Sequence, residues 1–182
     1  MIKRLYILLI MLFLVSGFRQ VQAQGIALKT NLAGWVAFGA NIGAEFAVSE
    51  CSSVETVFYQ SITNSWIKDA KFTAIQFGYK YWFSRTPMNS FFLGATVTPA
   101  RYKAVINDTN RKGYAFPFGV NCGYCLPLGE RFNIEFCYGI GATYLSEEVG
   151  VRSEEFEFEP WTRHNLSFTP TNIGINVSYI IK

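Results

Sequence analysis

Apolar and polar residues alternate with a period of two along most of this chain, the pattern of β-strands whose two faces meet different surroundings. Eight segments carry it: Ile26–Leu32, Ala40–Val48, Val54–Tyr59, Phe72–Phe83, Phe91–Pro99, Gly113–Leu126, Phe132–Tyr144 and Asn172–Ile181. In the seventh, Phe132, Ile134, Phe136, Tyr138, Ile140, Ala142 and Tyr144 alternate with Asn133, Glu135, Cys137, Gly139, Gly141 and Thr143. Collected over all eight, one face has neither a charge nor a glycine. The other holds Gly43, Gly78, Gly94, Gly119, Gly123, Gly139, Gly141 and Gly174, the charges Lys29, Glu45, Glu55, Lys80 and Glu135, and Asn31, Asn41, Gln76, Asn121, Asn133 and Asn176.

Periodicity alone leaves two orientations. In a soluble exported barrel or sandwich the apolar face is the core. In an outer-membrane barrel it faces lipid, and the polar face lines the interior. Three features favour lipid. The polar face has too few charges for a water-facing surface, and its glycines suit the narrow inside of an eight-stranded barrel. Aromatics gather near segment ends, with Tyr81, Phe83, Phe91, Phe132 and Tyr179 forming one girdle and Tyr114, Phe116 and Tyr144 contributing to the other. The connections also alternate in length. Ser49–Ser53, Ser84–Ser90 and Pro127–Arg131 are short periplasmic turns, whereas Gln60–Lys71, Lys103–Lys112 and Ser146–Thr171 are longer outer loops. The first outer connection, Ala33–Gly39, is short and apolar and fits this asymmetry less well. The expected fold is therefore all-β, an eight-stranded antiparallel up-and-down transmembrane barrel.

Export agrees with that reading. Residues 1–23 read as a cleavable signal peptide: Lys3 and Arg4 start it, Leu5 to Val15 form its apolar stretch, and Val21-Gln22-Ala23 supplies the small-residue cleavage pattern. The alternative, an N-terminal membrane anchor, needs roughly 20 apolar residues. Residues 24–182 then form the barrel in the outer membrane. Formal charge is +3 over the whole chain, but Lys3, Arg4 and Arg19 belong to the signal. Without them basic and acidic residues balance, so a nucleic-acid partner is not expected.

The strand motifs carry a resemblance. Lys29-Thr30-Asn31-Leu32, Tyr81-Trp82-Phe83, Phe92-Leu93-Gly94 and the ending Tyr179-Ile180-Ile181-Lys182 resemble a family of small Bacteroidota outer-membrane β-barrels catalogued as domain of unknown function 3575. The resemblance implies a barrel in outer-membrane lipid, inserted by the barrel-assembly machinery, with some members encoded near surface-fimbria components. It implies no activity. Many outer-membrane barrels end in an aromatic residue, whereas here the last aromatic is Tyr179.

Candidate chemistry is sparse. His164 and Ser167 could pair as base and nucleophile for lipid hydrolysis, but three residues apart on an extended chain they point to opposite sides. Cys122 and Cys125 form a C-x-x-C pattern inside a strand, where they also face opposite ways. Cys125 and Cys137 share the interior face and would form a cross-strand disulfide if the turn centred near Arg131. Within the longest outer loop, Glu155, Phe156, Glu157, Phe158, Glu159 and Trp161 form the candidate partner surface, or pack on other loops through Lys68, Lys71, Lys103, Arg111 and Lys112. Metal binding by its carboxylates is the lesser alternative. The interior set Lys29, Glu45, Glu55, Lys80 and Glu135 must pair or stay hydrated.

No catalytic residue, cofactor or metal site is expected. The expected role is structural or accessory at the cell surface, linked to surface-fimbria assembly or adhesion through an outer-loop protein partner. A narrow solute channel and a lipid-modifying enzyme are the alternatives, and a soluble ligand-binding barrel is the alternative architecture. Phe136→Lys, near mid-strand on the apolar face, should cost ~2–4 kcal/mol of stability in a bilayer, measured by denaturant titration in liposomes.

Overall fold

The computed structural model describes residues 25–37, 39–61, 71–106, 109–151 and 161–181. The signal segment and residues 155–159 of the candidate partner loop lie outside the described residues. Nine strands follow one another: β1 (Ile26–Asn31), β2 (Ala40–Ser49), β3 (Ser52–Gln60), β4 (Lys71–Trp82), β5 (Ser90–Val97), β6 (Ala100–Ile106), β7 (Thr109–Leu128), β8 (Phe132–Val151) and β9 (Trp161–Ile181). A short helix, α1 (Leu32–Ala37), joins β1 to β2. Every pairing is antiparallel, and β1 pairs with β9, so the sheet closes on itself as a ring of eight strand positions. Strands β5 and β6 share one position: both lie between β4 and β7, and the break falls at Pro99, which has no N–H to give.

Closure requires the strands to be staggered. Starting from Tyr179 on β9, the paired residues run Leu28, Ala44, Thr56, Phe77, Val97, Phe118 and Ala142. The path returns to β9 at Phe168, roughly ten residues from its start once the bulge between Gly139 and Ile140 is discounted. Such a stagger tilts the strands by roughly 40° to the ring axis.

All eight alternating segments are strands, and the two faces separate as the pattern requires. None of the apolar-face positions is buried, whereas Lys29, Glu45, Glu55, Lys80 and Glu135 all are. The apolar face is therefore the outside of the ring. At the lower end, where residue 25 and Ile181 lie, outward aromatics touch: Tyr81 meets Phe83 edge-on at 5.3 Å, Phe83 lies 5.5 Å from Phe91, and Phe132 lies 5.1 Å from Tyr179.

The lower opening is filled from below. The β4–β5 turn holds Arg85, Met88 and Ser90 at φ values of 54°, 63° and 67°, a left-handed conformation costly for side-chain-bearing residues. That turn buries Met88 beside Trp82 and Phe92, and its carbonyl accepts hydrogen bonds from Asn133 Nδ2 and Cys125 Sγ, both at 3.0 Å. Phe92 fits because Gly123 faces it; a Cβ there would fall 2.6 Å from the ring's Cζ.

Three expectations need correction at the upper end. Lys103–Lys112 is largely not a loop, because β6 and the start of β7 form a hairpin there. The connection Ser146–Thr171 is largely strand, β8 running to Val151 and β9 starting at Trp161, which pairs with Val149. The alternation lapses because these stretches pair with each other past the ring and carry charge on both faces, as in Lys112–Glu148 (2.8 Å) and Arg111–Glu147 (3.8 Å). The first segment ends at Asn31 rather than Leu32, the connection after it being α1.

Gly119 and Gly141 are direct partners on β7 and β8, and a Cβ on Gly141 would collide with the Phe118 carbonyl oxygen and the Gly119 Cα. Gly141→Leu should sharply lower the fraction of folded protein, scored on unboiled denaturing gels. Gly25→Leu, at a position with nothing within 4 Å of the added Cβ, should leave that fraction unchanged.

Candidate functional site: a five-charge network inside the ring

The interior charges come from five strands and converge on one point. Lys29 stands on β1, Glu45 on β2, Glu55 on β3, Lys80 on β4 and Glu135 on β8, at exposures of 3%, 1%, 5%, 1% and 3%. Glu45 and Glu55 are direct cross-strand partners, an arrangement that would repel without cations between them. Both lysines supply those cations. Lys29 Nζ lies 2.7 Å from Glu45, 2.8 Å from Glu55 and 3.2 Å from Glu135. Lys80 Nζ lies 3.2, 2.9 and 2.7 Å from the same three carboxylates. Each ammonium thus reaches every carboxylate.

Three carboxylates against two ammoniums leave one formal negative charge in excess. Neutral donors share it. Ser53 Oγ donates to Glu45 Oε1 at 2.5 Å, Gln76 Nε2 to Glu55 Oε1 at 3.1 Å, and Asn176 Nδ2 to Glu135 Oε1 at 2.8 Å. Trp82 Nε1 in turn donates to Ser53 Oγ at 2.8 Å, fixing that hydroxyl. Lys80 Nζ also lies 4.6 Å from the centre of the Phe92 ring, within cation–π range. Each carboxylate therefore has two cations and one neutral donor, a satisfied arrangement of the sort that buried charge requires.

Alternation places all five charges on one face of the strands, and the ring brings them together. Their partners were less visible. Gln76 and Asn176 were recognisable as interior positions, but Ser53 was not, because β3 starts two residues before the expected Val54. Aligning the turn of the β2–β3 hairpin would have found it.

The other candidate residues do not assemble into chemistry. His164 stacks on Tyr144 with ring centroids 6.1 Å apart, its Nδ1 lying 3.1 Å from the Tyr144 hydroxyl. Ser167 pairs with Thr143 on the opposite face, so no base–nucleophile pair forms. Cys122 is exposed and Cys125 buried, again on opposite faces. The disulfide between Cys125 and Cys137 is absent: all four cysteines are free. Cys125 lies opposite Glu135 and Cys137 opposite Gly123, because the turn centres one residue earlier than that bond needs. Among the described residues, no group of His, Cys, Asp and Glu could hold a metal ion.

Two cavities border the network. One, of about 580 Å³, is a groove on the outer surface beneath Trp35, whose Nε1 donates to Thr30 Oγ1 at 2.7 Å. The other, of about 390 Å³, lies inside the ring towards its upper end, between Tyr59, Phe72 and Tyr102. Tyr102 donates to Glu147 Oε2 at 3.0 Å. Period-two alternation does not reveal the inner cavity. Its only signal was the run of small interior residues Ala74, Ala100 and Ala115.

Comparison with known proteins adds a family. A family model described as "Protein of unknown function (DUF3575)" matches residues 7–181. The chain belongs to this family. No curated protein and no solved structure gives a match. For this DUF3575 member, the buried network is the most elaborate polar arrangement among the described residues.

Removing one lysine would leave buried carboxylates undercompensated. Lys80→Met should cost about 3–5 kcal/mol, measured by urea titration of the folded band. Combining it with Glu135→Gln, which returns the network to one formal negative charge in excess, should recover part of that loss.

Proposed function

We propose that this chain is an outer-membrane β-barrel with a closed interior, acting as a structural or accessory component at the cell surface. The observation that carries the reading is the inverted distribution of polarity. Phe77, Phe118, Phe136 and Ile173 stand exposed on the outside while five charges are buried within, an arrangement that water would penalise and a bilayer would favour. The lower aromatic cluster matches an interfacial girdle, and insertion would engage the barrel-assembly machinery. The upper extensions of β6 to β9 would stand clear of the lipid and offer the contact surface for a surface protein, in fimbria assembly or adhesion.

The channel alternative fares less well. Trp82, Lys80, Phe92 and Glu45 rank among the largest fully buried side chains, so the middle and lower interior is filled where a solute would pass. The lipid-modifying enzyme has even less support, since His164 and Ser167 face apart.

Protein extracted with detergent from membranes should migrate faster on a denaturing gel before boiling than after. In planar bilayers it should produce no discrete conductance steps. Recovery in the soluble periplasmic fraction would contradict the barrel, and stable steps abolished by Glu135→Gln would favour the channel. A photo-crosslinking residue at the exposed Arg163 should capture a second protein on intact cells; crosslinks confined to its own chain would contradict the accessory role.

A further inference from the structure

The outward face changes chemistry at the upper end of the apolar band. Along β4 the outward side chains are Lys71, Thr73, Ile75, Phe77, Tyr79 and Tyr81, so charge begins ten residues above the lower aromatic cluster. Ten residues of antiparallel strand span about 34 Å, or about 26 Å of height at a tilt of roughly 40°. The apolar band of an outer-membrane barrel is about 25 Å tall. In the bilayer proposed above, Lys71 therefore stands at the level of the lipid headgroups.

Three lysines share that row. Lys71 lies directly opposite Lys103 on β6, and Lys103 directly opposite Lys112 on β7. Arg101 stands two residues below Lys103 on the same face, between Thr73 and Tyr114. All four cations are exposed. Like charges directly opposite each other across a ladder are destabilising, and here two such pairs are consecutive. Among the described residues only Lys112 of the four has an ion partner, Glu148 at 2.8 Å. Glu147 beside it is turned inward to Arg111 and Tyr102. The patch thus keeps three formal positive charges uncompensated, whereas each buried lysine of the ring is met by three carboxylates. Its surface is also recessed, with a hollow of about 180 Å³ between Arg101, Lys112, Tyr114 and Ser146.

We infer that this patch binds the phosphate of an anionic lipid headgroup at the upper membrane interface. Lys71 and Lys103 attract the phosphate as point charges, and Arg101 offers its planar fork to two phosphate oxygens. Below them Tyr114 and Phe116 continue the apolar face along which the acyl chains lie. The inference rests on the bilayer reading, and the test separates the two.

The chain is reconstituted in phosphatidylcholine bilayers containing a trace of phosphatidic acid or phosphatidylcholine spin-labelled near the end of one acyl chain. Electron paramagnetic resonance then measures the motionally restricted fraction of each label, which is the lipid held against the protein. Phosphatidic acid should be preferred by about twofold or more at low ionic strength, and salt should weaken the preference by screening the patch. Arg101→Gln with Lys103→Gln should abolish the preference while leaving the restricted phosphatidylcholine fraction and the unboiled gel migration unchanged. Lys71→Gln with Lys103→Gln provides a second pair should the first fail to fold. Arg131→Gln, which removes an exposed cation at the lower end, should leave the preference intact. No preference in the native chain, a preference that survives both pairs, or one lost with Arg131 would overturn the headgroup site and leave the bilayer reading standing. A preference that emerges only when Glu154, Glu155, Glu157 and Glu159 are changed to Gln would assign the patch to the chain's own acidic segment and likewise overturn the site. No restricted fraction of either lipid would remove the bilayer reading and the headgroup site with it.

Discussion

Two ammoniums shared among three buried carboxylates are the constraint on which the rest of this molecule depends. The five groups come from five strands, so they meet only when the sheet has closed with the correct stagger. A slip of one residue in β1 would turn Lys29 to the apolar outside and leave Glu45 and Glu55 facing each other uncompensated. The network thus specifies register more than it adds stability. Buried ion pairs seldom contribute much net free energy, but removing one partner is costly.

That constraint organises the interior in layers. Below the charges, the strained β4–β5 turn carries Met88 up against Trp82 and Phe92. Around and above them the glycines permit close approach of backbone, most tightly where Gly119 faces Gly141. Higher still the interior turns apolar and opens into a cavity. Beyond the ring the outward face is no longer uniformly apolar, and charges appear on both sides of β7 and β8. One chain therefore moves from a filled, charge-locked middle to an upper end that holds a cavity.

What could be read from the sequence follows the same physics. Each strand in the ring presents one apolar outward and one interior face, so period-two alternation marks all eight positions and places Lys29, Glu45, Glu55, Lys80 and Glu135 inside. Their convergence was not legible, because it depends on a stagger accumulated around the whole ring. The upper strands were hidden for a different reason. Where Arg111, Lys112, Glu147 and Glu148 pair across β7 and β8, neither face needs to be apolar and alternation vanishes although the strands continue. At Thr171 the bulge resets the alternation, so Phe168 and Leu166 face outward out of phase with Ile173. Alternation alone does not set the centre of the β7–β8 turn, and a shift of one residue there separates a Cys125–Cys137 pair from the observed Cys125–Glu135 register.

The central proposal is that the apolar face around the charge-locked interior meets lipid, and a collision-accessibility scan along β8 tests it most directly. Spin labels would be placed singly from Phe132 to Tyr144 in a variant with the native cysteines replaced by serine, reconstituted in liposomes. Oxygen should relax the labels at Ile134, Phe136, Tyr138 and Ile140 strongly and a water-soluble nickel chelate only weakly. Labels at Asn133, Glu135, Cys137 and Gly139 should show low access to oxygen, giving a period of two. Strong relaxation by the nickel chelate at Phe136 and Tyr138 would contradict the account, because the apolar face would then meet water.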